Sequence, residues 1–575
     1  MAKFFLGLAT GAILVLLTFF LLFLSVLRLR EQPPQIAADS VLVMHLSGDI
    51  PEKPPLQLPA FLGGPRDVAS IPRVWMSLKE AAADSHIRAV MIEPSGLATG
   101  WAKLEEIRRD LVEFRKSGKP VFAYLRTPNS RDYYVALGAD RIYLGPQEPL
   151  MLKGLRAESM YFQKTLEKLG VTVFVEHAGK YKDFGDMFTR SDMSPETREV
   201  VNSMIDDIYG DLVKRIAEAR HKSPEEVRAI IDRGPYTASD ALQAGLVDEL
   251  RFEDQAWGEL RSRLKIEGQP VKVSLEKYVQ VPPEQAGLQV KSKVALVVGE
   301  GDIVRGDPND TGADEKSLTS YGFDRMLRQV AEDSSIKGVI VRIDSPGGEV
   351  PASDEIWREM NLLNKKKPMV ISMSDVAASG GYYMAMTGAP IVAEAGTETG
   401  SIGVLFGKPD VKGLLSKLGV TQDAIQRGTN ADIDSIYTPL TPAQRVLLRQ
   451  GIDQTYHDFV SKVADARHRP YDQIEPVAQG RVWLGQQAQS RGLVDRLGGL
   501  DTAVDLVKAK AGIPAAEQVR IVVYPQSRSW LDLLLRRSPE DAMETRLAQI
   551  FGRVPFHAWM KGGYLRILPY RVTVE

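Results

Sequence analysis

The 575-residue chain contains no cysteine. That absence excludes a thiol nucleophile, a disulfide framework and any thiolate metal site; it suits an oxidising compartment without demanding one. An excess of either charge is missing too. The 72 Lys and Arg set against 74 Asp and Glu leave a net charge of −2, which offers nothing to nucleic acid. Histidine is scarce at 7 residues, none of them in an H-E-x-x-H zinc pattern. No Walker loop occurs, so ATP-driven action has no support, and neither a metal nor a cofactor is expected. Long uncharged runs are rare, with one exception. Residues 4–27 carry no charged side chain, and as a helix they would reach about 36 Å at ~1.5 Å per residue, enough to cross a bilayer. No A-x-A cleavage pattern follows, so a retained membrane anchor is expected. Lys3 with the terminal amine balances Arg28 and Arg30, so the flanking charges leave its orientation open.

A chain of this length exceeds one core, and it repeats itself. Asp84-Ser-His-Ile87 returns as Asp333-Ser-Ser-Ile336, and Lys168-Leu-Gly-Val-Thr172 as Lys417-Leu-Gly-Val-Thr421, both 249 residues on. The same offset lays Ser130-Arg-Asp-Tyr-Tyr134 on Ser379-Gly-Gly-Tyr-Tyr383. At 247, Ala244-Gly-Leu-Val-Asp248 falls on Arg491-Gly-Leu-Val-Asp495. A register held so far marks a tandem duplication. The expected organisation is an anchor over residues 1–30, a tether over 31–40, a first repeat over 41–265, a linker over 266–292, a second repeat over 293–510 and an extension over 511–575. Runs such as Val294-Ala-Leu-Val-Val298, Gly338-Val-Ile-Val-Arg-Ile343 and Met369-Val-Ile-Ser-Met373 read as strands buried on both faces. They alternate with helical patterns, so each repeat is expected to be an α/β domain.

Ser379 stands where one such strand gives way to a helical pattern, with Gly380 and Gly381 behind it. Ala377-x-Ser379-x-Gly381 is a loosened G-x-S-x-G elbow, although most Ser-Gly-Gly triplets are turns. A serine nucleophile needs a base, and none of the 7 histidines stands in a recognisable relation to it. A lysine would serve only if burial lowered its pKa from about 10.4. The two copies differ at these places. Arg131 and Asp132 replace the glycine pair in the first, whereas Lys182 of the first falls on Ala431 of the second. On residue type alone, a lysine flanked by Lys180 and Asp183 is more often a solvated surface residue. Likewise Ser345-Pro-Gly-Gly348 is either a plain turn or a source of backbone donors for an oxyanion. Thr399-Gly-Ser-Ile-Gly403 is either a loop or a place for the Ser401 hydroxyl beside a buried amine.

Together and in this order, these motifs resemble the signal peptide peptidase A (protease IV) family in its long, two-domain form. The resemblance runs from the anchor to about residue 510. It implies a membrane-bound serine endopeptidase built as two tandem crotonase-like or Clp-protease-like ββα spiral domains behind an N-terminal transmembrane helix. By motif match Ser379 would be the nucleophile, Lys182 the general base and Ser401 the residue that orients the lysine. Gly347, Gly348 and Gly380 would lie at the oxyanion hole. The implied substrates are cleaved signal peptides and other short hydrophobic peptides. The implied assembly is a homo-oligomer, a tetramer, on the inner membrane with the catalytic domains on the periplasmic side. Lys182-Asp-Phe-Gly-Asp186 departs from the family, which is apolar there. In the extension, Trp530-Leu-Asp-Leu-Leu-Leu535 with Arg536 and Arg537 suits either a membrane surface or packing on the body. Two other readings share these parts. An acyl-coenzyme-A enzyme of the crotonase type needs the oxyanion glycines but neither Ser379 nor an anchor. A non-catalytic membrane scaffold needs neither Ser379 nor Lys182.

Overall fold

The β-branched runs form strands because both of their faces are covered: every side chain from Val294 to Val298 is fully buried. The computed structural model describes residues 33–53, 69–306, 317–525, 563–567 and 573–574, with six single positions between 7 and 18. Most of the 4–27 segment therefore lies outside the described residues, as does the Trp530 segment. Among the described residues no helix is long and apolar enough to cross a membrane.

Each half is built on a parallel sheet with helices packed against it. The first sheet runs Glu249–Leu250, Arg141–Leu144, Val121–Leu125, Ile87–Leu97, Ser40–Gly48, Val271–Ser274. In the second the corresponding path runs Arg496–Leu497, Ile391–Ala393, Met369–Ala378, Ile336–Ser345, Val290–Glu300, Gln518–Tyr524, and Glu398–Gly400 with the antiparallel Val482–Leu484 branches from the end of Met369–Ala378. The two orders correspond strand for strand, which is the duplication seen in three dimensions. Two strands sit where the sequence suggested a linker and an extension. Val271–Ser274 covers the edge of Ser40–Gly48, and Gln518–Tyr524 does the same for Val290–Glu300. An uncovered edge would leave a row of unpaired N–H and C=O groups.

The long helices Pro195–Arg220 and Pro442–Ala466 also correspond. Both begin with a hydroxyl cap and a proline: Ser194 accepts from the Thr197 N–H, Thr441 from the Gln444 N–H.

Two features tie the halves together. In a third sheet, Thr172–Ala178 of the first half lies antiparallel to Val404–Asp410 of the second, with Ala178 opposite Val404. Lys182, four residues past Ala178, is thereby delivered into the second half. The other feature is ionic and buried. Arg342 meets Glu52 at 2.8 Å and Glu106 at 2.5 Å, with all three side chains inaccessible to solvent. Helix Trp101–Arg115 adds Lys103, whose Nζ lies 2.7 Å from the Asp344 carboxylate. The Gly100 and Lys103 N–H groups each donate to Asp375 at 2.9 Å.

Candidate active site

Strand Met369–Ala378 ends one residue before Ser379, which has φ 54° and ψ −113°, a conformation that side-chain-bearing residues seldom adopt. Three contacts hold it there. The Ser379 N–H donates to the Gly400 carbonyl at 2.8 Å, and the Ser379 carbonyl accepts from the Tyr383 N–H at 2.8 Å. The Tyr382 hydroxyl, one turn along the short helix Gly380–Met384, donates to the Leu493 carbonyl at 2.8 Å. Gly400 is in place because strand Glu398–Gly400 pairs with residues 376–378. The next residue, Ser401, is thus set beside Ser379.

The Lys182 Nζ lies 2.8 Å from Ser379 Oγ, 2.9 Å from Ser401 Oγ and 3.0 Å from the Ser401 carbonyl oxygen. All three residues are fully buried. The lysine is therefore not the solvated surface residue that its charged neighbours suggest. Its backbone is fixed by the Tyr181 N–H donating to Gln479 O at 2.9 Å and by the Lys182 N–H donating to Gly179 O at 3.1 Å. Its stem runs between two glycines. A Cβ on Gly480, which has φ +73°, would fall 2.6 Å from Lys182 N and Cβ; one on Gly403 would fall 3.1 Å from Lys182 Cδ. No sequence motif marks Gln479 or Gly480; only this contact reveals them.

The acidic neighbour Asp183 is buried and accepts a hydrogen bond from the Thr197 hydroxyl near the start of helix Pro195–Arg220. Burial raises its pKa to about 7, against the lowering effects of the Thr197 hydroxyl and the nearby Lys182. A carboxyl that is partly protonated near neutrality opposes a neutral lysine less than a full anion would.

The glycine loop packs directly on the serine turn. A Cβ on Gly380 would lie 3.1 Å from Gly347 Cα and 3.2 Å from Gly348 N, and one on Gly381 would lie 2.6 Å from Ser345 O. Gly348 itself passes so close to its neighbour that a Cβ would stand 1.9 Å from Ile303 O. Gly347, Gly348 and Gly380 are thus brought together beside the Ser379 turn. The Gly347 N–H, however, donates to Ser345 Oγ at 3.2 Å, so it is engaged within its own loop.

The matching place in the first half is closed. Ser130 opens helix Ser130–Ala136, and the Asp132 carboxylate accepts from the N–H groups of Gly96 at 3.0 Å and of Leu97 and Asn129 at 2.9 Å. Donors that could face an oxyanion there face a carboxylate of the chain itself. Ala431, the counterpart of Lys182, sits on an exposed turn.

Several histidines are occupied elsewhere: His45 with Glu93, His86 with Asp84 and His177 with Gly179. Among the described residues no group of His, Asp and Glu could hold a metal ion. A hydroxyl held against a buried amine, beside closely packed backbone N–H groups, is an arrangement for acyl transfer.

Comparison with known proteins agrees with that chemistry. The model of peptidase family S49 matches residues 113–267 and 361–514, one segment in each half. The Arabidopsis thaliana protein named serine protease SPPA, chloroplastic, is 35% identical over 494 residues, covering 85% of this chain and 72% of that one. Protease 4 of Salmonella typhi is 32% identical over 474 residues, covering 80% and 74%. Among solved structures, ClpP1 from Listeria monocytogenes covers 36% of this chain and 91% of its own at 16% identity and a TM-score of 0.23, a likeness too slight to carry an argument.

Proposed function

Because the chain belongs to peptidase family S49 and is a serine protease, we propose that it cuts peptides with a Ser379–Lys182 dyad divided between its two halves. The observation that carries this reading is the 2.8 Å contact between two fully buried groups 197 residues apart in the chain. In the proposed reaction neutral Lys182 takes the proton from Ser379 Oγ as that oxygen attacks the peptide carbonyl. Ser401, through its hydroxyl and carbonyl, aims the amine. The oxyanion develops beside Gly380 and the Gly347-Gly348 loop. Lys182 then hands its proton to the leaving amine, and a water activated by the same base releases the acyl group. An acyl-coenzyme-A enzyme has no use for such a hydroxyl–amine pair.

Turnover of a peptide substrate by single variants tests the dyad. Lys182→Ala and Ser379→Ala should each cost more than about a thousandfold in kcat, and the double variant scarcely more, because groups acting as one unit are not additive. Lys182→Arg should fail as well, since a guanidinium stays protonated. Ser130→Ala should keep near-parental turnover. A folded Lys182→Arg chain with near-parental kcat would remove Lys182 as the base.

The resemblance to signal peptide peptidases supports cleaved signal peptides and other short hydrophobic peptides as substrates, and a homo-oligomer as the working form. The uncharged 4–27 segment supports a single membrane anchor, and the same resemblance supports catalytic halves outside the cytoplasm. Reporter fusions after residue 40 check the topology; a signal from a reporter active only in the cytoplasm would reverse it.

A further inference from the structure

The turn that fixes Lys182 is built on a strained residue. Gln479 has φ +52°, a left-handed conformation that glutamine seldom adopts, and it lies between the 3-10 helix Glu475–Val477 and strand Val482–Leu484. Every polar group it has is engaged. Its carbonyl accepts from the Tyr181 N–H at 2.9 Å, and its side-chain oxygen accepts from the Lys180 N–H at 3.2 Å. Its own N–H donates to the Tyr456 hydroxyl, on helix Pro442–Ala466, at 3.2 Å, and its side-chain NH2 donates to Glu475. The same turn holds the other side of the site. The Gly480 N–H donates to the Ile402 carbonyl at 2.7 Å, and the Arg481 carbonyl accepts from the Ser401 N–H at 2.8 Å. Residues 479–481 therefore grip both the backbone that carries Lys182 and the backbone of Ser401, to which the amine is hydrogen-bonded. Glycine permits the approach: a Cβ on Gly179 would fall 2.5 Å from the Gln479 carbonyl carbon. The duplication shows that the fold does not require such a turn. At the 247-residue offset Tyr456 falls on Tyr209, but Gln479 falls on Asp232 and Gly480 on Arg233. The first half receives no lysine, and there helix Pro224–Arg233 continues through both positions.

We propose that Gln479 is a positioning residue for the dyad: its left-handed turn, fastened by the Tyr456 hydroxyl, sets where the Lys182 amine stands against Ser379 and Ser401. The proposal rests on the Ser–Lys reading above and deepens it, by naming the group in the receiving half that aims a base supplied by the other. A strained backbone persists where its surroundings over-determine it, and here the four bonds of Gln479 do so. Displacing a reacting group by about 1 Å can cost roughly a hundredfold in rate, so a turn two to three residues from the contact that matters has leverage on turnover.

Peptide turnover, its pH profile and amide hydrogen exchange in the full chain test the role. Gln479→Val opposes the turn, because a β-branched side chain is strained at positive φ. Gln479→Gly keeps the turn and removes only the side-chain bonds. The valine chain should lose roughly a hundredfold in kcat with KM within about twofold of the parent, and the glycine chain about tenfold. In the valine chain the acid limb of kcat/KM should also move to higher pH, by roughly half to one pH unit, because an amine admitted to water holds its proton more firmly. Neither change alters a charge around the lysine, whether Lys180, Asp183 and His177 on its own segment, Glu199 on helix Pro195–Arg220, or Glu475 and Arg481 beside the turn. The limb therefore reports the surroundings of the amine. Residues 180–182 should exchange faster while strand Met369–Ala378 stays protected. A fall in kcat with either the acid limb or the exchange of 180–182 unmoved would mark a merely smaller active fraction and overturn the proposal. Parental kcat in the valine chain would overturn it too, as would a glycine chain equally impaired. If the valine chain does not fold, Tyr456→Phe decides, since it removes one oxygen. Its acid limb and exchange should move in the same directions, and parental behaviour in both would reject the role. Exchange does not depend on the dyad, so failure of the Ser–Lys reading would show separately, in the turnover of Lys182→Arg.

Discussion

At the scale of single residues, a serine activated by lysine depends on which protonation state that lysine holds, and Asp183 bears on it directly. Its folded pKa of about 7, set mainly by burial, lies above the ordinary aspartate value of 3.8. A carboxyl with a raised folded pKa contributes its stability at low pH, and that contribution is lost as pH rises through the folded value. Asp183→Asn cannot ionise, so it should match the parent's melting temperature at about pH 4 and exceed it by roughly 2–8 °C near pH 8.5. The kinetic sign follows from the same charge. An anion beside Lys182 favours its ammonium form, so removing the anion should move the acid limb of the kcat/KM profile to lower pH. Melting curves that coincide at both pH values would refute the burial argument; an acid limb that moves the other way would refute the electrostatic one. Residue identity alone foretold little of this. The two-copy comparison singled out Ser379 and Lys182, because each has lost its partner machinery in the opposite repeat. It could not show that Lys182 is buried, since the residues around it, Lys180 and Asp183, are those of a wet surface. The packing that buries it comes from Gly403 and Gly480, more than 200 residues away, where a glycine reads as an ordinary turn.

At the scale of elements, the strands with continuous β-branched runs were legible because burial on both faces demands that composition, and the helices because helical patterns lie between those runs. The weaker strands were not. Val271-Lys-Val-Ser274 is only four residues long, and Gln518-Val-Arg-Ile-Val-Val-Tyr524 opens with polar residues among the apolar ones; both fall outside the stretches in which the duplication was read. The third sheet was the least visible. Its strands come from both halves and from the far C-terminal region, so no local pattern announces that Thr172–Ala178 must meet Val404–Asp410. Yet that pairing is what carries Lys182 across to Ser379. In the first half the same blindness hid a different outcome. Sequence shows Asp132 where a glycine is needed, and only the fold shows that its carboxylate plugs the backbone donors of Gly96, Leu97 and Asn129. Duplication thus supplied two similar turns, of which one kept an open glycine loop and the other was closed by its own side chain.

At the scale of the whole molecule, a dyad split between halves works only if the halves hold one relative position, and buried charge does much of that holding. Lys103 of the first half stands between Asp344, which immediately precedes the Ser345–Gly348 loop, and Asp375, four residues before Ser379. Burial alone would push the Lys103 ammonium towards losing its proton, but Asp344, Asp375, Glu52 and Glu300 outweigh it and raise its pKa. Burial likewise raises Asp375 to about 7, and Lys103 is the strongest influence pulling it back down. Lys103→Met keeps most of the apolar stem and removes the charge, leaving two buried carboxylates without it. The loss should be about 3–5 kcal/mol, the usual effect of removing one partner from a buried ionic cluster. Its pH dependence has a definite sign. Without Lys103 the Asp375 pKa climbs further, so keeping that carboxyl ionised costs more, and the cost is felt only where it must ionise. Urea unfolding should therefore find the variant further below the parent near pH 8 than near pH 6. In protein that is still folded, kcat should fall with Ser379 and Lys182 untouched, because the Gly347-Gly348 loop and the serine turn have lost their common tether to the half that brings the lysine. Stability losses equal at the two pH values, or a kcat that holds at the parental level, would show that the interface is kept by its apolar contacts and by Arg342 instead.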